Sequence, residues 1–548
     1  LDAAGDIRLI GVAPVDRTFV PGSTAAPSLT GGLVVAGDLT LRAAQVYATT
    51  GTGNLQQLLE APTAKPSPFV IASLGGLSLS GLTVGKPGAT IRIESNGAPT
   101  PSAPLSAGSY LSIVAPNIEQ AGVLRAPLGR IDLGSRGGLI VNVGSTPAIV
   151  TTNNLTLEDG SVTSVSAKGL TIPYGTTTDL TEYYFSPSVT SPLTREPAAQ
   201  LSLGGNSIVA GNNATVDLSG GGDLYAYEFV SGTGGSRDVL NRFNSDAFSS
   251  TNGYQYTDGR QVYAIVPAAS AASVALFDPI YSGDYGALYG SDVGKTVHLD
   301  AAPGMPAGEY VLMPAKYALL PGAMRLVENV GSAAPILGSA TTLLDGSVLV
   351  GGSYGVSGTG YVDSQRRSFT IQNQATIKSY SRIETTSGNT TFSQAGGGSA
   401  LAARIANDAA RLVLDPLTTL HIGASFNTAG TNGGRGSQVD ILGNVLSVVS
   451  SPSSNPASGG TELAVDDLAR LNADSLLIGG TRTELKDGST DIRVTASSIT
   501  VANDAAHPLS APKIILAVDG ANSQLNIADG ASLVATGSLT DTRTTDYN

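Results

Sequence analysis

Few residues in this chain of 548 are placed to do chemistry. The three histidines, His298, His421 and His507, lie far apart and fit neither His-x3-His nor His-Glu-x-x-His, the spacings that set two imidazoles on one face to hold a metal. Each stands beside strand-like residues and reads as a structural histidine. Asp466, Asp467 and Arg470 form the nearest local cluster of acids with a base, the raw material of glycan cleavage. They fall at the start of an expected helix over 462–472, with Thr461 as its N-cap, where early acids and a late arginine suit the helix dipole in any case. Glu158, Asp159 and Asp440 occupy turn or strand positions. The runs Gly220-Gly221-Gly222, Gly396-Gly397-Gly398 and Gly433-Gly434-Arg435-Gly436 lack the Gly-Lys-Ser/Thr that completes a phosphate loop. No Gly-x-Ser-x-Gly elbow and no calcium-binding nonapeptide array is present. Asn154, Asn213 and Asn389 are formal glycosylation acceptors of little weight. The sequence therefore assigns no catalytic residue, no cofactor site and no metal site.

The composition narrows the class. Gly and Pro make up about 18% of the chain, against roughly 12% in ordinary proteins. Charged residues are 13%, too few for a disordered chain or a coiled coil, and the 41% hydrophobic content is ample for a core. Without cysteine there is no disulfide framework, zinc–thiolate site or thiol nucleophile. A net charge of −13 with no basic run argues against nucleic acid and anionic lipid as partners. No apolar run is long enough for a membrane span. Residues 1–11 lack the features of a signal peptide, and the chain reads as an excised section of something longer.

The positioning elements are short. Leu39 and Leu41 alternate with Asp38, Thr40 and Arg42; Ile131 and Leu133 flank Asp132; Leu155 and Leu157 flank Thr156; Val216 and Leu218 flank Asp217; Val439 and Ile441 flank Asp440; Ile492 and Val494 flank Arg493; Leu525 and Ile527 flank Asn526. Such period-two runs, bounded by Gly, Asn and Ser, are half-buried strands. Asp159-Gly160, Asp345-Gly346, Asp487-Gly488 and Asp529-Gly530 mark recurring corners at which Gly supplies positive φ. Corners so closely spaced suit a chain winding round one axis better than paired hairpins. The expected fold is all-β, a right-handed parallel β-helix with a few short helices, at 462–472 and in the Ala-rich stretch 401–412.

One region breaks the pattern. Ten of the 19 tyrosines, Tyr225, Tyr227, Tyr254, Tyr256, Tyr263, Tyr281, Tyr285, Tyr289, Tyr310 and Tyr317, lie between 223 and 317. The expected division is coils over 1–186, a Tyr-rich inserted or packed module over 187–330, and coils with short helices over 331–548. Tyr225, Tyr227, Tyr254, Tyr256, Tyr281, Tyr285 and Tyr289 are the candidate interaction surface, since a phenol combines a large ring with a polar tip. A private core for that module is the simpler account of the same residues.

The peptide Leu124-Arg125-Ala126-Pro127-Leu128-Gly129-Arg130-Ile131-Asp132-Leu133-Gly134 resembles the rungs of the filamentous haemagglutinin family, large exoproteins of two-partner secretion. Leu155 to Gly160, the stretch Ser161-Val162-Thr163-Ser164-Val165-Ser166 and Gly169-Leu170-Thr171-Ile172-Pro173-Tyr174-Gly175 resemble a block of one branch of it. So do Ala307-Gly308-Glu309-Tyr310-Val311-Leu312-Met313-Pro314-Ala315-Lys316-Tyr317 with its continuation to Gly322, and Asp474-Ser475-Leu476-Leu477-Ile478-Gly479-Gly480-Thr481-Arg482. The resemblance implies a right-handed parallel β-helix, export through an outer-membrane transporter barrel, and a non-catalytic adhesive or fibrous product at the bacterial surface or in the extracellular matrix, with self-association into filaments and cell-surface or glycan ligands as partners. The amino-terminal secretion domain with its Asn-Pro-Asn-Gly motifs is not present, nor is a toxin-type carboxy-terminal domain evident, so the expectation is an internal section. The alternative is a polysaccharide-active β-helix enzyme or tailspike-like glycan depolymerase.

Overall fold

The computed structural model describes residues 1–11, 31–53, 68–75, 77–79, 82–143, 146–185, 192–230, 238–240, 262–267, 295–356, 359–394, 403–453, 460–484 and 490–537. Of these, 49% are strand and 6% helix, and most sheet pairing is parallel, so the chain is all-β. Parallel neighbours must be separated by a long return of the chain, and here each passage lays one short strand on the strand of the passage before.

Three parallel ladders result. The first takes Gly32–Val35, Phe69–Ser73, Tyr110–Val114, Arg130–Leu133, the start of Gln200–Ala210, the start of Arg411–Ile422, Gln438–Ile441, Ser475–Ile478 and Lys513–Leu516. Its register places Leu33, Ile71, Ile113, Leu133, Leu203, Leu414, Ile441, Ile478 and Leu516 in one column. From Ile71 to Ile478 every member is 0–1% exposed. A neighbouring column runs through Phe69, Leu111, Ile131, Leu201, Leu412, Val439, Leu476 and Ile514. Alternation along each strand sends one set inward and the next outward, and each buried aliphatic side chain contributes roughly 1.5–3 kcal/mol.

The second ladder begins with Leu39–Ala43, Thr90–Ser95, Asn117–Ala121 and Asn154–Leu157, and continues through the ends of Gln200–Ala210 and Arg411–Ile422. Thr461–Ala464 then enters ahead of its sequence order, between Arg411–Ile422 and Val445–Val449, and Ser498–Ala502 and Gln524–Ile527 follow. The third ladder runs from Ile7–Leu9 through Val46–Ala48, Val123–Arg125, Val162–Ser164 and Thr215–Asp217 to Ser425–Asn427. Beyond it the helix Val465–Arg470 sinks Val465 and Leu468, with Leu471 behind them, into the same core. It also touches Leu509–Ala511, which pairs with Leu533–Ala535. Gln120, 0% exposed, places an amide inside this apolar stack, in register between Ile93 and Leu157. Its Nε2 donates to the carbonyls of Gly122 and Val162, each at 3.1 Å, and to Thr163 Oγ1 at 3.3 Å.

Several expectations need correction. Residues 403–410 are not helical, and 411–412 open a twelve-residue strand; its Leu412, Leu414 and Leu420 are needed in the core columns, which overrides the helix propensity of the alanines before it. Over 462–472 the helix is shorter, Val465–Arg470, and Thr461 is a strand residue whose Oγ1 donates to the Leu417 carbonyl at 2.8 Å rather than an N-cap. The division of the chain also differs from 187–330. Gln200–Ala210 and Thr215–Asp217 belong to the parallel ladders, and Gln200–Ala210 pairs directly with Arg411–Ile422 although Gln200 and Arg411 are 211 positions apart. The long excursion therefore lies between Thr215–Asp217 and Arg411–Ile422. Residues 340–373, expected as coils, form antiparallel strands there: Val348–Val356 pairs with Thr296–Leu299, Ala340–Thr342 and Arg367–Asn373. Three hairpins leave the ladders at one corner, each between a first-ladder strand and the next second-ladder strand: Leu77–Leu79 with Leu82–Val84, Leu139–Val143 with Thr146–Val150, and Gly480–Glu484 with Thr490–Val494. At the corners, Gly160, Gly346 and Gly530 have φ of +81°, +83° and +82°; Asp487-Gly488 lies outside the described residues.

Candidate functional site

Two of the seven candidate tyrosines fall within the described residues, and both lie on Asp223–Phe229, which pairs with Thr171–Thr178 on one side and Ile383–Ser387 on the other. Tyr225 is 7% exposed, packs with Val262, Met313, Tyr317, Ile377 and Ile383, and donates its hydroxyl to the Lys316 carbonyl at 3.1 Å. Tyr227 packs against the same cluster, with the Lys316 ammonium 5.9 Å from its ring centre. Burial pushes both phenols well above their ordinary range. Tyr225 thus serves the core of the excursion rather than an outward surface. Tyr254, Tyr256, Tyr281, Tyr285 and Tyr289 lie outside the described residues.

The densest chemistry is at the seam where the excursion leaves and rejoins the ladders. Asp440 projects from the outer face of Gln438–Ile441, and Arg482, from the hairpin strand Gly480–Glu484, closes on it: Nε lies 3.0 Å from Oδ1, with side chains 1% and 0% exposed. The Arg482 amide donates to Asp440 Oδ2 at 2.8 Å, and its guanidinium reaches Ser475 Oγ at 3.0 Å. Arg411 bonds Gln200 and the Arg482 carbonyl, and burial draws its guanidinium below the usual arginine value. Arg435 and Asp408 form a second buried pair at 2.6 Å. Burial acts to raise the Asp408 carboxyl, but Arg404 and Arg435 outweigh it and hold the group below the usual carboxylate value. Arg404, which donates to the Gly436 carbonyl, is drawn down to about 10 by burial and by Arg435. Beside these pairs lies Glu196, 1% exposed and pushed up to about 8, chiefly by burial.

Each of the three histidines, read from the sequence as a lone structural residue, meets an acid. His421 Nδ1 is 3.2 Å from Asp467 Oδ2, which also accepts the Ile422 amide at 3.1 Å. The imidazole is 56% exposed while the carboxylate is 10% exposed. A buried acid fixing one ring nitrogen of an exposed histidine is the geometry of an oriented base. His298 faces Glu309 at 3.3 Å across paired strands, and His507 faces Asp504 at 3.1 Å within one turn. Asp466 is exposed, and of the expected cluster the structure joins Asp467 to His421 rather than to Arg470. Among the described residues no group of three or more His, Asp or Glu side chains could hold a metal ion, and no helix is long and apolar enough to cross a membrane. Sequence reasoning also missed an exposed aliphatic loop, in which Val330, Ile336, Leu337 and Leu344 are 62%, 83%, 73% and 111% exposed; the absence of any charged residue from 329 to 344 was the available signal. Comparison with protein-family models, curated proteins and solved structures gives no match.

Proposed function

We propose that the chain is a section of a non-catalytic extracellular exoprotein of filamentous haemagglutinin type, in which the three ladders close into a right-handed parallel β-helix that acts as a rigid rod. The observation that carries this reading is the nine-strand aliphatic column from Leu33 to Leu516, held in register although the paired Gln200 and Arg411 lie 211 positions apart. Rigidity then comes from main-chain hydrogen bonding along the stack and from a dry interior, neither of which needs a disulfide. The peptides that resemble the family support it: Arg130–Leu133 and Ser475–Ile478 are first-ladder strands.

Export through an outer-membrane barrel and residence at the cell surface belong to the same proposal. Adhesion is supported by the exposed aliphatic side chains between Val330 and Leu344. Self-association into filaments is supported by the ladder ends: among the described residues, Gly32–Val35 and Lys513–Leu516 each pair on one side only, and Leu525 and Ile527 of Gln524–Ile527 are 46% and 53% exposed. Such edges template further strands. Negative-stain electron microscopy, with attachment of protein-coated beads to epithelial cells and glycan arrays, tests the reading. Slender rods that attach support it; globular particles that attach to nothing count against it.

A second reading, a glycan-cleaving enzyme, draws on the oriented His421–Asp467 pair. Release of reducing ends from a polysaccharide panel, abolished by His421→Ala, would replace the structural reading; no release from any member removes the enzyme.

A further inference from the structure

Glu196 stands where three segments converge. Its Oε2 accepts the amide of Ala406, on the segment returning from the excursion. Among the described residues its Oε1 has no hydrogen-bond partner. The helix Gly388–Gln394 presses on that oxygen so closely that a Cβ at Gly388 would lie 2.6 Å from it. At the base of the excursion Leu193, Leu224, Tyr183, Phe392 and Ala406 share one buried apolar cluster.

Among the described residues, the charged groups acting on it are of the wrong sign to hold an ionised carboxylate. Asp223 faces it from Asp223–Phe229 and Asp408 from the return segment. Tyr183 faces it from Glu182–Tyr184, with Tyr174 of Thr171–Thr178 and Tyr225 around that phenol. The cations are engaged elsewhere. Arg435 pairs with Asp408, Arg404 bonds the Gly436 carbonyl, and Arg195 bonds the Glu484 carbonyl. The nearest side chains of Gly388–Gln394 are uncharged, and its Asn389 amide bonds Asp223.

We propose that Glu196 is a proton-dependent latch: its neutral carboxyl holds the excursion base against the ladders, and loss of its proton opens the seam. This stands on the seam geometry and is independent of the adhesive reading.

The sign follows from linkage. In the closed seam burial raises the carboxyl to about 8, while in the opened, hydrated seam it returns toward the ordinary value of about 4.3. Between those limits the open form has lost a proton that the closed form keeps. Opening therefore grows with pH, approaching about tenfold per unit, and levels off above the closed-state value.

Hydrogen exchange of the intact protein, corrected for intrinsic rates, tests this at pH 6.0 and 7.5. The peptides covering 388–394 and 404–408 should open on the order of tenfold or more faster at the higher pH, while 498–502 in the second ladder should not change. Glu196→Gln should remove the dependence, and Glu196→Met, which cannot titrate, should do the same if the glutamine variant folds poorly. Equal corrected protection at both pH values in the wild type, or persistence of the dependence in a folded variant, overturns the latch.

Discussion

Removing the Asp440 carboxylate alone should cost more than removing the whole ion pair it forms with Arg482. The two side chains are 0% and 1% exposed and approach to 3.0 Å. Coulomb attraction at that distance is about 5 kcal/mol for an effective dielectric constant near 20, and it is offset by several kcal/mol of desolvation for each ion. Asp440→Ala keeps the desolvation and loses the attraction. The guanidinium then retains Ser475 Oγ at 3.0 Å and the Ser475 carbonyl at 3.2 Å, neither of them charged. The expected loss is about 3–5 kcal/mol, whereas Asp440→Leu with Arg482→Met removes both charges and leaves chiefly the main-chain amide of position 482 without its acceptor, so it should lose less, about 1–3 kcal/mol. Urea unfolding followed by circular dichroism measures both, and hydrogen exchange over 475–484 localises the effect. If the single and double variants lose equal stability, or Asp440→Ala costs less than about 1 kcal/mol, the pair is not the buried, uncompensated charge described.

Other outcomes follow from the same structure. Leu203→Ala, at 1% exposure in the first column, should cost about 2–5 kcal/mol in urea unfolding, and a surface-like loss below 0.5 kcal/mol would contradict its burial. Gln120→Leu removes the buried hydrogen bonds its amide makes with Gly122, the Val162 carbonyl and Thr163 Oγ1, with a loss of about 1–3 kcal/mol; adding Thr163→Val should recover part of it. Gly160→Ala, at φ +81° with open space around the site, should cost about 1–2 kcal/mol through backbone strain alone. Asp408 is held below its ordinary value of 3.8, so its contribution is present above that value and lost as pH falls through the lower folded-state one. The stability gap between wild type and Asp408→Asn should be constant near neutrality and shrink below about pH 4, and a gap that widens in acid would reverse the sign.

The strands were legible because burial on one face leaves a period-two trace, as in Leu39-Thr40-Leu41 and Arg130-Ile131-Asp132-Leu133. Their partners were less so. The alternation in Val348–Val356 matches that of the parallel strands, yet this segment pairs antiparallel, because a strand's own pattern records which face is buried and not the direction of its neighbour. The end of the excursion is hidden in the sequence for that reason: tyrosines mark only its first part. Thr461 satisfied the rules for an N-cap, but the core required Leu463 in the second ladder, so the helix starts later. The seam could not be read at all. Glu196 meets Ala406 only after the chain has left the ladders and returned, and Asp440 meets Arg482 only after a further passage through the ladders; no local spacing encodes either. Asp467 was singled out for its local company, while its partner His421 lies on a strand 46 positions earlier.

The central claim is that successive passages of the chain stack in parallel register. The protein has no cysteine, so paired labels at introduced cysteines report unambiguous distances by double electron–electron resonance. Thr40 and His421 share a column through Arg92, Glu119, Thr156 and Val209. Five strand spacings separate them, about 24 Å at ~4.8 Å each. Asn154 and Asn526 are joined through Ser207, Thr419, Glu462, Ser447 and Thr500, six spacings or about 29 Å. The account expects single, narrow distance peaks that grow in that proportion. Broad distributions, or separations that do not rise with the number of intervening strands, contradict the stack.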